Sequence, residues 1–208
     1  MCWNASVSLN TFVFSAFALL FSYFNGEAKI IGVIFYLSFI IMQLIEYFVW
    51  SKTFSNRLLS QIALLVIFFQ PIFNILNIEK KTELIPYLLI AYIIFALPYI
   101  IIIPLNTAEF SMIPSTNGHL SWNWLNFNLL IILIWFIFLS SRWIIDKMYI
   151  TLIFIAIVLI ISIIQYKDTR TWGSMWCWIC NFTSFYLILK VFYKDMCSYN
   201  PFVDYLNS

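Results

Sequence analysis

The sequence predicts an all-α polytopic membrane protein, a bundle of seven transmembrane helices in one integral membrane domain over residues 1–208. Three observations predict it. Composition is 63% hydrophobic and 10% charged, with a mean hydropathy of +0.94, where soluble chains run near ~45–50% apolar and ~25% charged. The eleven Lys and Arg and nine Asp and Glu leave six uncharged runs, 1–26, 58–78, 84–108, 110–141, 148–166 and 171–189, and a seventh, 30–51, is broken only by Glu46. A helix needs roughly 20 apolar residues to cross ~30 Å of hydrocarbon, so seven spans use most of the chain and leave no room for a soluble domain. The runs are continuously apolar, unlike the alternating strands of a membrane barrel.

The elements follow in order. A first helix over 7–24 lacks a basic n-region and an A-x-A site, so it is expected to stay as an anchor. Its Asn4, Ser8, Thr11, Ser15, Ala18, Ser22 and Asn25 recur at spacings of 4 and 3, which puts small and polar side chains on one face suited to close helix packing. The second, 30–50, carries Glu46 four residues, roughly 6 Å, below its end. The third, 58–78, holds Pro71, whose missing N–H bends a helix, and groups Gln70, Asn74 and Asn77 on one face, with Asn74 in reach of the carbonyl that proline frees. The fourth, 84–104, contains Pro98. A long connection, 105–122, has no Lys or Arg, and helices over 123–140, 148–165 and 174–193 complete the bundle. The last carries Ser174, Cys177, Asn181 and Ser184 at spacings of 3, 4 and 3.

Orientation follows from basic residues in the connections. The first, third and fifth connections and the C-terminal tail collect seven Lys and Arg, against four on the other side. The positive-inside rule then sets the N-terminus outside and the C-terminus in the cytoplasm. In that orientation seven of the nine Trp, with Trp122 and Trp176 among them, fall near the outer end, as an aromatic belt or as the wall of an outer vestibule with His119, Asn126, Cys177 and Asn181. Gln70, Asn74 and Asn77 form an inner polar group. Cys2 and Cys177 sit at the outer ends of the first and last helices, a candidate thiol pair.

Several chemistries are excluded. Four scattered glycines cannot build a phosphate-cradling loop, and one histidine cannot build an HExxH zinc site. Cys177 and Cys180 form C-W-I-C without a βαβ context, so neither a redox motif nor a metal is expected. Lys190 lies at the inner end of its helix, which argues against retinal; no cofactor is expected. Nucleic acid is not an expected partner, the bilayer is, and a homo-oligomer is compatible with such a bundle.

Met1-Cys2-Trp3-Asn4-Ala5-Ser6, Gln43-Leu44-Ile45-Glu46, Gln70-Pro71-Ile72-Phe73-Asn74, Gly118-His119-Leu120-Ser121-Trp122 and Gly173-Ser174-Met175-Trp176-Cys177-Trp178 resemble segments of an uncharacterised multi-pass membrane protein family of large DNA viruses and unicellular eukaryotes. The resemblance spans most of the chain and implies a single integral domain, with no activity attached. Function is therefore argued from the residues. The first expectation is a small channel or transporter for protons, ions or a small solute, with Glu46 as its intramembrane charge. The alternative is a non-transporting scaffold, assembly factor or receptor-like protein. An enzyme ranks last, having only His119, Glu46 and Cys177 to work with.

Overall fold

The computed structural model describes residues 4–80, 82–107, 110–125 and 127–198, without the side chains of 179–181 and 194–198. Cys2, Asn126 and the side chain of Asn181 therefore lie outside the described residues. The elements are α1 (Ala5–Phe24), α2 (Ile30–Ser51), α3 (Asn56–Leu76), α4 (Leu84–Asn106), β1 (Met112–Pro114), β2 (Leu120–Trp122), α5 (Leu129–Leu139), α6 (Ser141–Ile145), α7 (Tyr149–Tyr166) and α8 (Trp172–Ser198). Among the described residues six helices are long and apolar enough to cross a membrane, and α5 is a shorter apolar one.

Local chemistry sets the boundaries. Asn4 starts α1 by accepting the Val7 N–H on its side chain at 2.9 Å, which satisfies one of the orphan donors at a helix start. Below it Ser8, Ser15, Ala18 and Ser22 are buried, and α1 packs against α2 and α8. Helix α2 is the centre of the bundle and packs on α1, α3 and α8. Outer helices α4 and α7 leave large apolar side chains exposed, among them Ile94 and Ile150.

The fifth predicted helix, 123–140, differs from the structure. It starts only at Leu129, where Asn128 accepts the Leu130 N–H at 3.1 Å. It then breaks at Ser140 into α5 and α6. Residues 120–125 are drawn instead into a cap. The chain after α4 forms a two-stranded antiparallel hairpin with Met112 opposite Trp122, so the all-α expectation is amended by two short strands. Gly118 turns it at φ +80°, a conformation that favours glycine.

Each end of the bundle is tied across its connections. At one end, the Glu79 carboxylate lies 3.3 Å from both Lys29 and Arg142. Asp146 accepts the backbone N–H groups of Glu79 and Lys80, and Lys190 pairs with Glu27 at 2.9 Å. This end gathers the first, third and fifth connections with the later part of α8. At the other end Asn56 clamps Met112, donating to its carbonyl and accepting its N–H. Ser115 donates to Thr169, and Asn117 to Thr169 and Thr171. The hairpin therefore lies over the α7–α8 turn.

Candidate functional site

The residues picked out in α3 are buried, and each has a distinct setting. Pro71 sits inside α3 and leaves the Ile67 carbonyl, one turn earlier, without its intrahelical donor. Asn74 does not fill that role. The Trp135 indole N–H donates to the Ile67 carbonyl at 3.3 Å, and the Tyr92 hydroxyl donates to the neighbouring Phe68 carbonyl at 2.7 Å. Asn74 instead donates its amide to Leu139 at the α5–α6 break, where helix-end carbonyls lack partners. Gln70 donates to the Ser38 carbonyl of α2 at 3.3 Å. Asn77 ends α3; it is 4% exposed, and among the described residues its Nδ2 has no hydrogen-bond partner.

At the hairpin end the aromatic residues close on one another. Trp122 stacks on Trp124 with ring centroids 5.5 Å apart, and His119 meets Tyr166 edge-on at 6.0 Å. Burial pushes the His119 pKa below its ordinary value. Trp122, Trp172 and Trp176, with Gln70, line a cavity of about 20 Å³, room for about one water. Gln70, grouped with the inner amides from the sequence, thus meets Trp122 and Trp176 from the outer group. Among the described residues the Trp122 and Trp176 indole N–H groups and Gln70 Oε1 have no protein partner, while the surface of that space is almost wholly apolar. Glu46 and Cys177 are buried in α2 and α8, and neither lines this cavity or the larger one below.

The larger cavity lies towards the opposite end and was not signalled by any motif. It measures about 660 Å³ and is walled by α2, α7 and α8 with the ends of α3 and α6, a size in the ~300–1,000 Å³ range of small-molecule sites. Its lining carries Glu27, Lys29, Glu79, Arg142 and Lys190 at one end, with the buried Phe35, Phe39 and Leu187 and the half-exposed Phe154 and Phe182 beyond them. Trp176 lines both cavities. It is held between Phe39, which lines the larger cavity, and Trp135, which lines the smaller, at centroid distances of 6.4 and 6.5 Å. The rim residues read from the sequence only as topology charges, because their convergence needs four separate segments to meet.

Among the described residues no group of three or more His, Cys, Asp or Glu could hold a metal ion. Comparison with protein-family models, curated proteins and solved structures finds no match.

Proposed function

We propose that this chain is a seven-crossing integral membrane protein that carries a small solute, with its N-terminus outside and its C-terminus in the cytoplasm. The observation that carries the reading is the chamber of about 660 Å³ rimmed by Lys29, Arg142 and Lys190, together with a second, smaller cavity. The chamber lies towards one end and the smaller cavity nearer the other, with Trp176 in the lining of both, which supports a path through the bundle. The seventh crossing is α5 with α6. Together they cover residues 129–145, about 25 Å of helix at 1.5 Å per residue, and join the hairpin end to the end where Asp146 meets Glu79. The basic residues of the odd connections fall at one end, which supports the orientation.

Proteoliposome flux tests the reading, with an internal pH dye and a panel of protons, monovalent ions and small carboxylates. Wild-type protein is expected to move at least one of these. Ala28→Trp, which plugs the chamber, should stop that flux, and Trp176→Ala should raise it. Absence of flux across the panel would favour the second reading, a non-transporting scaffold, for which Gln70 and Asn74 engaged in interhelical hydrogen bonds are the supporting observation.

A further inference from the structure

We propose that the chamber binds a single-chain amphiphile whose head carries one negative charge, with the head at the Lys29, Arg142 and Lys190 rim and the chain lying up to Trp176. The proposal rests on the reading above in taking the surroundings to be a bilayer, and it names the class of molecule the chamber receives.

Three features carry it. Charged donors come first. The lining holds three cations, Lys29, Arg142 and Lys190, and two carboxylates, Glu27 and Glu79. With Asp146 beside Arg142 these groups are neutral overall, so a head group is held by the directed N–H donors of the cations rather than by net charge. Asp146 stands behind Arg142 at 3.5 Å, outside the lining, with its oxygens on the Glu79 and Lys80 backbone N–H groups. Lys29 and Glu79 are exposed and exchange partners at little cost, whereas the Arg142 and Glu27 side chains are 15% and 10% exposed.

The second feature is a buried donor. Asn77 is 4% exposed and lines the chamber, and among the described residues its amide Nδ2 has no partner. A buried N–H without an acceptor costs free energy, and the oxygen of an anionic head would supply the acceptor. Gly32 makes that amide approachable: a Cβ there would stand 3.5 Å from Asn77 Nδ2.

Length and polarity are the third. On α8 the lining runs from Lys190 back to Trp176, fourteen residues or about 21 Å of helix. Charged side chains are confined to one end of that length, and the rest is mainly apolar, with Phe35, Phe39, Phe154, Phe182 and Leu187, interrupted by Thr151, Thr183 and Ser184. A small inorganic anion would leave those walls unfilled.

Equilibrium binding of radiolabelled palmitate to the full chain in a non-ionic detergent tests the assignment. Saturable binding is expected, displaced by unlabelled palmitate and by hexadecyl sulfate, and not by butyrate, methyl palmitate or hexadecyltrimethylammonium. Arg142→Gln and Asn77→Leu should each weaken it at least tenfold. Gly32→Ala is the control for folding, since its new methyl meets ordinary van der Waals distances and Ala favours a helix over Gly. It should keep the thermal midpoint yet also weaken palmitate at least tenfold by covering the Asn77 amide.

Displacement by butyrate at palmitate's potency would show an anion site with no use for a chain and overturn the proposal. Displacement by methyl palmitate or the quaternary amine would show an apolar groove with no head site and overturn it too, as would full binding by Gly32→Ala. Saturable palmitate binding without flux retires the carrier reading and keeps this assignment. Flux of another solute without palmitate binding does the reverse.

Discussion

Pro71 has no N–H to offer Ile67, and the protein answers with a side chain from another helix. The Trp135 indole supplies the missing donor, and Tyr92 adds a second hydroxyl bond one residue on. Trp135→Phe keeps most of the ring and strands a buried carbonyl, which should lower stability by about 1–3 kcal/mol. Pro71→Ala restores an intrahelical N–H to Ile67, so in that background the same Trp135→Phe change should cost less than about 1 kcal/mol. Such non-additivity is the signature of residues that share a partner. Thermal unfolding of the four proteins in one detergent measures it, and strictly additive losses would remove the assigned role. At this scale the sequence marks Pro71, Gln70, Asn74 and Asn77 as unusual for an apolar helix. Their partners are not legible, because each lies on another segment: Asn74 meets Leu139, 65 positions on.

The helices are legible to within a few residues from the length of their apolar runs, although the Asn4 cap starts α1 two residues before the expected position 7. The hairpin is not. Residues 105–122 show neither a helical period nor clear alternation, and the strands exist because Asn56, Thr169 and Thr171 hold them from outside. Gly173 is the point where cap and bundle touch. A Cβ there would come within 2.6 Å of both Trp122 and Leu125, and Trp122, 1% exposed and stacked on Trp124, has nowhere to retreat. Gly173→Ala gains up to about 1 kcal/mol of helix propensity but forces an overpacking that typically costs about 1–3 kcal/mol. The expected result is a lower thermal midpoint together with faster chymotryptic cleavage within residues 110–125. Unchanged cleavage would mean that the cap is not seated on α8 through this glycine.

For the molecule as a whole, the proposed crossing by α5 with α6 fixes which connections lie on opposite sides of the bilayer. The two connections that flank them supply the test. Thr116 lies in the exposed hairpin turn and Lys147 in the exposed turn before α7. With the native cysteines replaced, Thr116→Cys should react with an impermeant maleimide in intact cells. Lys147→Cys should react only after permeabilisation. Labelling of both in intact cells would make α5 and α6 a re-entrant pair and reduce the crossings to six. The reverse pattern would keep seven crossings and invert the orientation. Ion pairs at the Lys29, Glu79 and Arg142 end contribute little to stability because they are partly solvated; they gather the connections around the chamber mouth.

Length of apolar run and placement of charge are local properties, and from them the sequence alone determined the helical class, most helix ends and the collection of basic residues on alternate connections. Local chemistry also singled out Glu46, the α3 amides and the crowd of tryptophans. Only the tertiary structure decided what these do: Glu46 is buried away from both cavities, the tryptophans close around a water-sized space, and the large chamber sits at the opposite, charged end. A cavity is the space that several segments leave between them. Its rim joins Glu27, Glu79, Arg142 and Lys190 from four separate parts of the chain, and no pattern within one segment encodes such a meeting.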